Sequence, residues 1–292
     1  MQSAYPAPQS ATPPSCQDVT VLSLERRASP DAGESIFTLR LRSPGWKEWH
    51  PGQFVMIRPQ RAVRPDILWA RPFSISQAND TDVVIVFQVA GRGTQELLRL
   101  ERGELVTMWG PLGNSFAVSR PGPTLLLAGG IGIAPFVGYI EKHPTPETLR
   151  LEFGHRLHVD CYPFADCLNG ECGGIEARNH RETCAEDLSR FISTLENGIR
   201  KTAERDGLVL ACGPMPFLIS VQKFALRHNA RAQLSLETRM ACGVGACLGC
   251  VVKSTAPGGE QAGDRKPDAF SYVQTCTSGP VFWADQLDLQ SS

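Results

Sequence analysis

The chain has 292 residues, 42% of them hydrophobic, and a formal net charge of −1. That length supports two domains with a small third and a sizeable buried core, while the balanced charge argues against a nucleic-acid binder working through bulk electrostatics. The longest apolar run, TLLLAGGIGIAPFVGYI, is broken by glycines and a proline, so no bilayer-spanning segment is expected.

Residues 1–16 are rich in Pro, Ser, Gln and Ala and read as a disordered arm. They have neither a basic start nor an apolar h-region, so no secretory leader is expected. Residues 17–119 carry short β-type runs: VTVLSLERR, IFTLRLRS, QFVMIRP, VVIVFQVA and ELVTMWGP. Several alternate apolar and polar residues between turn signals, which predicts an antiparallel barrel or sandwich. The linker chemistry of SRPGP marks a boundary, and 120–233 changes character. A buried strand, a glycine turn and a helix (TLLLAGGIGIAPFVGYIEK) are followed by a strand (LRLEFGH), a helix (EDLSRFISTLENGIRKTAE), a strand (GLVLACGP) and a helix (MPFLISVQKFALRHN). Alternating strands and helices predict a parallel α/β sheet. After AQLSLE, residues 234–292 form a third segment rich in Cys and Gly, with a polar loop, STAPGGEQAGDRKPDAFS. No internal repeat is present.

The third segment contains C-x4-C-x2-C at Cys242, Cys247 and Cys250, with Cys276 the only cysteine downstream. The plant-type [2Fe–2S] pattern has this form. Three thiolates on one tight loop can converge on a cluster and a fourth closes it from another segment. Gly243, Gly245, Ala246 and Gly249 let backbone N–H groups approach the sulfurs. A structural zinc site and buried free thiols are the alternatives. Zinc sites usually repeat C-x2-C, which occurs once here, so the spacing fits the cluster better.

RPFSIS, starting at Arg71, carries little meaning by itself. GRGTQEL and GPLGNSF add glycine-rich turns that can present N–H groups to phosphate. Beside an α/β domain and a redox centre, they point to a flavin-binding barrel. The arginine would neutralise a pyrophosphate, the aromatic residue could pack on the ring, and the serine hydroxyl could bond the ring edge. In LLLAGGIGIAPF, Gly129, Gly130 and Gly132 lie between a strand and a helix, where a dinucleotide diphosphate can approach the helix start. The run departs from G-x-G-x-x-G, and a tight turn with no ligand is the alternative. Cys212, Gly213 and Pro214 form a second turn at the end of a later strand, where ligands of open α/β sheets sit.

RPFSIS, GRGT, GPLGNSF, AGGIGIAPF, CGP, MACGVGACLGC and CTSGPVF, in this order, resemble the electron-transfer subunit of type B, NAD-dependent, dihydroorotate dehydrogenase. That family lies in the ferredoxin reductase-like group. The resemblance implies a β-barrel plus α/β architecture: a ferredoxin reductase-like FAD-binding barrel, a parallel-sheet NAD-binding domain and a small C-terminal [2Fe–2S] segment. It implies FAD contacts at Arg71, Pro72, Phe73, Ser74, Phe87, Gln88, Gly93 and Thr94, and cluster ligands at Cys242, Cys247, Cys250 and Cys276. It also implies a catalytic, FMN-containing dihydroorotate dehydrogenase subunit as partner in a heterotetramer, a role in pyrimidine biosynthesis and a cytoplasmic location. Electrons would pass from the partner through the cluster and FAD to NAD, with no side chain acting as general acid or base. Alternatives are an FAD/[2Fe–2S] NAD(P)H reductase subunit serving a hydrogenase, a sulfur reductase or ferredoxin, and a diverged non-catalytic relative.

One stretch departs from the family pattern. After LRLEFGH, the expected arginine-containing turn, strand and helix are replaced by HRLHVDCYPFADCLNGECGGIEARNHRETCAEDL. Arg156 stands in for the arginine. A second metal site is one reading of Cys161, Cys167, Cys172 and Cys184, but they match no zinc or cluster spacing and read better as dispersed thiols in a diverged loop. The departure puts the nicotinamide site in question more than the flavin site. Cys212 falls where many reductase-like relatives also have cysteine. Glu237 reads as a surface residue, and Trp46, Trp49 and Trp69 as core or interface aromatics.

Overall fold

The computed structural model describes residues 13–28, 35–60, 69–118, 122–164, 175–255 and 271–289. Most of the expected N-terminal arm, together with Cys167 and Cys172, lies outside them. The first strand starts at Ser15, two residues before the expected start of the barrel at residue 17.

Six antiparallel strands close into a barrel: β1 (Ser15–Ala28), β2 (Ser35–Arg42), β3 (Phe54–Pro59), β4 (Arg71–Ala78), β5 (Asp82–Gln88) and β6 (Leu105–Leu112), in the order β1-β2-β5-β4-β3-β6. Val21, Leu39, Val55, Ile57, Ile75, Ile85 and Val106 fill the interior. Closure leaves no sheet edge open. The register shifts between Phe54 and Met56 and between Ile75 and Gln77, irregularities that bend strands at a barrel corner. Between β5 and β6 runs a helix too short to show periodicity, α1 (Arg92–Leu97).

The second unit is a sheet of β7 (Thr124–Gly129), β8 (Leu149–His155), β9 (Glu176–Arg181), β10 (Leu208–Cys212) and β11 (Arg231–Ser235), all parallel, with β14 (Val281–Trp283) antiparallel at one edge. The order is β14-β11-β10-β7-β8-β9. Alternate residues of β7 serve two cores. Leu126 and Ala128 pack with Phe136, Val137 and Ile140 of α2 (Ala134–Lys142). Leu125 and Leu127 pack with Phe191 and Leu195 of α3 (Ala185–Ala203) and Leu218 and Val221 of α4 (Met215–Arg227). Burying both faces explains why these strands read as continuous apolar runs.

The expected departure after β8 is corrected here. EARNHR forms β9, in register with β8 from Arg150↔Glu176 to His155↔Arg181, and α3 follows it. The strand and helix are therefore present in an unfamiliar sequence. Cys161 is buried in the α2-side core, and Cys184 is exposed just before α3.

The last segment carries the hairpin β12 (Val251–Ser254) and β13 (Ser271–Gln274), then lays β14 against β11. The segment starting at residue 234 is thus tied into the α/β sheet rather than separate from it. Asn114, just past the barrel's last strand, donates from Nδ2 to the Val281 carbonyl at 2.7 Å, and its Oδ1 accepts from the Val281 N–H at 2.9 Å. The barrel is fixed to the sheet by Phe116 stacked on Phe136 and by the Tyr139 hydroxyl donating to the Ala117 carbonyl at 2.8 Å.

Candidate functional site

Arg71, Pro72, Phe73 and Ser74 open β4, and all four are half-buried, whereas Ile75 and Ser76 beyond them are buried. The strand thus offers one accessible end on a closed barrel. The Arg71 guanidinium donates to the carbonyls of Trp69 at 2.8 Å and Ala70 at 3.1 Å. It lies against Gly93 in the first turn of α1, where an added Cβ would come within 2.9 Å of Cζ. The first-turn N–H groups of a helix have no intrahelical partners. The guanidinium and the turn's N–H groups therefore lie side by side, a donor set of the kind an anion would fit, and Gly93 is small because the arginine occupies its side-chain space. The Thr94 hydroxyl accepts from the N–H groups of Ala90 at 3.0 Å and Gly91 at 3.1 Å, so it shapes this turn.

Phe87 is buried between Phe37 and Phe73, with ring centroids 5.6 and 5.7 Å away. Its side chain belongs to the barrel core. Gln88 ends the same strand half-buried.

The chain order of the second sheet reverses between β7 and β10, and ligands of open α/β sheets bind at the carboxyl ends of strands at such a point. The two predicted glycine turns meet there. A Cβ on Gly132 would run into the backbone of Cys212 and Gly213, one on Gly213 would lie 3.1 Å from Gly129 Cα, and one on Gly129 would lie 3.0 Å from Pro214 Cδ. These glycines let the turns pack together. Gly130 differs: it has φ +53° and open space where a Cβ would be.

Cys212 is half-buried at the end of β10. Burial, helped by the negative charge of Glu237 and opposed by a hydrogen bond with Ser235, pushes its thiol up to about 12. Glu237 is exposed, but its charge reaches this corner. The Trp49 indole donates to the Ala78 carbonyl at 2.8 Å in the barrel core, whereas Trp69 is 59% exposed rather than part of a core.

The four sequence-predicted cysteines come together as two pairs. Cys242 and Cys247 have sulfurs 3.4 Å apart on the loop. Cys250 and Cys276 are buried and hydrogen-bond through their thiols. The Val244 and Cys247 N–H groups each donate to Cys242 Sγ at 3.4 Å. Burial raises the Cys242 thiol, but these N–H groups, with help from Cys247 and Ala246, outweigh it and hold the thiol at about 7. Burial and the neighbouring Cys250 push the Cys276 thiol up to about 12. Among the described residues no three His, Cys, Asp or Glu side chains close round a single metal ion. Two separate thiol pairs suit a two-iron cluster, which needs two thiolates on each iron, better than one zinc ion.

The loop docks on the barrel. The Trp109 indole donates to the Cys242 carbonyl at 2.9 Å, and Gly243 (φ +74°) sits where a Cβ would meet Met56 at 2.6 Å. Met56 pairs with Pro72 on the next strand. Ala70, beside Arg71, shares an apolar cluster with Cys250 and Cys276. The cysteine loop thus packs on β3, the strand paired with β4, and its two buried cysteines reach the residue just before Arg71.

Known proteins share the fold. A solved structure titled "Insights into flavin-based electron bifurcation via the NADH-dependent reduced ferredoxin-NADP oxidoreductase structure" superposes with a TM-score of 0.73 at 19% identity, over 94% of this chain and 90% of that one. Ferredoxin-NADP+ reductase from Plasmodium falciparum superposes with a TM-score of 0.55 at 14% identity, over 72% and 90%. Residues 237–288 match the model of the iron-sulfur cluster binding domain of dihydroorotate dehydrogenase B. Fold and site thus define an oxidoreductase of the ferredoxin reductase-like class with a C-terminal iron–sulfur binding segment. The electron transfer subunit of dihydroorotate dehydrogenase B (NAD(+)) from Caldanaerobacter subterraneus subsp. tengcongensis is 32% identical over 262 residues, 90% of this chain and 94% of that one. The subunit of the same name from Clostridium acetobutylicum is 31% identical over 258 residues, 88% and 92%. The chain belongs to this family of dihydroorotate dehydrogenase B electron transfer subunits.

Proposed function

We propose that this chain carries electrons between a catalytic dihydroorotate dehydrogenase subunit and NAD, in pyrimidine biosynthesis. The bound groups supply the redox chemistry: a [2Fe–2S] cluster and FAD for electron passage, NAD as the terminal carrier. The protein's part is placement and charge. Cys242, Cys247, Cys250 and Cys276 hold the cluster. Arg71 and the first turn of α1 hold the FAD diphosphate, while Phe73 and Ser74 face the ring from β4, with Pro72, Phe87, Gln88, Gly93 and Thr94 shaping the contact surface. The turn Gly129–Gly130, backed by Gly132 and by Cys212, Gly213 and Pro214, receives NAD. The barrel is then the FAD domain, the parallel sheet the NAD domain, and the cysteine loop with its hairpin the cluster domain. The observation that carries this reading is the packing of the cysteine loop on β3, with Cys250 and Cys276 in one apolar cluster with Ala70 beside Arg71.

The outer face of the cysteine loop fits the partner. Val244, Leu248, Val251 and Tyr272 are 54%, 67%, 46% and 63% exposed, all in or beside the loop. Contiguous exposed apolar side chains mark interaction surfaces, and a partner seated there would exclude water from the cluster. The partner is taken as FMN-containing and the assembly as a heterotetramer on the family resemblance. No helix of the described chain is long and apolar enough to cross a membrane. The free thiols suit a reducing cytoplasm.

The test is reconstitution. The FAD- and cluster-loaded chain, mixed with an FMN-containing dihydroorotate-oxidising subunit, should support dihydroorotate-dependent reduction of NAD+. Reduction that proceeds equally well without the chain would refute the assignment.

A further inference from the structure

Carbonyls of the cysteine loop are held by groups outside it. The Trp109 indole holds that of Cys242. The Thr275 hydroxyl and N–H donate to that of Cys250 at 3.0 and 2.9 Å. Gln274 Nε2 donates to that of Gly245 at 3.0 Å. Gln274 is the last residue of β13, opposite Val251 of β12 and two residues before Cys276. Its own carbonyl accepts from the Ser278 N–H at 2.9 Å, which closes the turn that carries Cys276. Its side chain is fixed at both ends: Thr277 Oγ1 donates to Gln274 Oε1 at 3.1 Å, which leaves the amide nitrogen for the loop. Gly245 approaches so closely that a Cβ there would lie 2.9 Å from Thr277 Cγ2 and 3.2 Å from Gln274 Oε1. Gln274 thereby joins the two segments that carry the four cysteines.

The C=O and N–H of a trans peptide point in opposite directions. The peptide whose carbonyl Gln274 holds carries the Ala246 N–H on its other side, and that N–H bonds to the Cys242 sulfur beside those of Val244 and Cys247. We propose that Gln274 is a positioning residue for the iron–sulfur site. By drawing the Gly245 carbonyl away from the sulfur, it aims the Ala246 N–H at Cys242 and so sets the potential at which the cluster takes up an electron. The proposal rests on the reading of the four cysteines as cluster ligands. Reduction adds negative charge to the cluster and its sulfurs. An N–H donor therefore stabilises the reduced form more than the oxidised form and raises the potential. The loop bends at Gly243 and Gly245, both at positive φ, where the missing side chains leave the backbone free to turn. The Gln274 amide removes that freedom for the peptide that faces the sulfur.

The experiment is a redox titration of the FAD- and cluster-loaded chain, followed by the electron paramagnetic resonance signal of the reduced cluster. The set is wild type, Gln274→Met and Thr277→Val. Each reduced protein is also exchanged into D2O, and the deuterons coupled to the cluster are counted by electron–nuclear double resonance. Methionine keeps the length of the side chain and removes the donor. Valine at 277 removes the hydroxyl that fixes the amide. Gln274→Met should lower the equilibrium constant for one-electron reduction about tenfold, a potential lower by about 59 mV, and should lose one exchangeable deuteron coupling. Thr277→Val should move the potential the same way by less. A cluster in Gln274→Met with the wild-type potential, or with a lower potential but every deuteron coupling retained, overturns the proposal and leaves the cluster reading standing. If Gln274→Met assembles no cluster, Thr277→Val decides: a lowered potential supports the proposal and a wild-type potential overturns it. A wild-type chain that gives no reduced-cluster signal after reconstitution with iron and sulfide overturns both.

Discussion

Gly93→Ala tests the anion cradle without touching a charged residue. Gly93 lies in the first turn of α1, and its φ is outside the left-handed region, so alanine fits the backbone. The new Cβ would lie 2.9 Å from Arg71 Cζ and 3.0 Å from Nη2, closer than ordinary contact, and closer still to Nε. The obstacle is the end of a flexible side chain, so the arginine moves and the fold stays. Gly→Ala in a helix contributes at most about 1 kcal/mol of stability, so the apoprotein should melt at the wild-type temperature or slightly above. The displaced guanidinium forfeits a charge-assisted bond to the FAD diphosphate, a loss of about 2 kcal/mol. At 1.4 kcal/mol per decade this weakens FAD binding about thirtyfold. The assay is titration of apoprotein with FAD, followed by flavin fluorescence, beside a thermal melt. FAD affinity within twofold of wild type would refute the cradle. An apoprotein melting many degrees lower would show that Gly93 serves packing instead.

Gly132→Ala should behave in the opposite way. Its Cβ meets the backbone of β10, which cannot swing aside, so a destabilisation of about 3 kcal/mol, seen as a lower urea midpoint, is expected. Cys276→Ser should abolish iron binding while FAD is retained, read by iron content and visible absorption, because the flavin strand does not depend on that sulfur. Leu248→Lys, at a 67% exposed position, should leave the melting temperature unchanged and weaken binding of the catalytic partner at least about tenfold, measured by calorimetry. His155 is buried, and burial holds its pKa below the usual histidine value. The folded state therefore favours the neutral ring. Its contribution is complete above the unfolded pKa of about 6.5 and is lost as the pH falls below it. The urea midpoint should drop between pH 7.5 and pH 5.5, and His155→Gln should reduce the drop.

The parts of this site that could be read from sequence are those fixed by local chemistry. C-x4-C-x2-C, the glycines 129–132 and RPFS each sit on one turn or strand end, and each occurs where its type requires. What could not be read depends on distant chain. β9, EARNHR, lacks apolar alternation because it is an edge strand with its side chains largely in solvent. It looked like divergence until its pairing with β8 appeared. β14 has three residues, and only its register with β11 makes it part of the sheet. α1 is too short for a periodic signal, and the space Arg71 takes beside Gly93 has no sequence signature. The sorting of four cysteines into two pairs likewise follows from how the loop turns about Gly243 and Gly245, both at positive φ.

The central claim is that nicotinamide, flavin and cluster sites form one circuit through β4, β3 and the cysteine loop. The most direct test is an anaerobic titration of the FAD- and cluster-loaded chain with NADH, followed by visible absorption and electron paramagnetic resonance. The account predicts bleaching of the flavin and cluster bands together and the appearance of a reduced-cluster signal. A flavin that bleaches beside a cluster that stays oxidised, or bands that do not change at all, would contradict it.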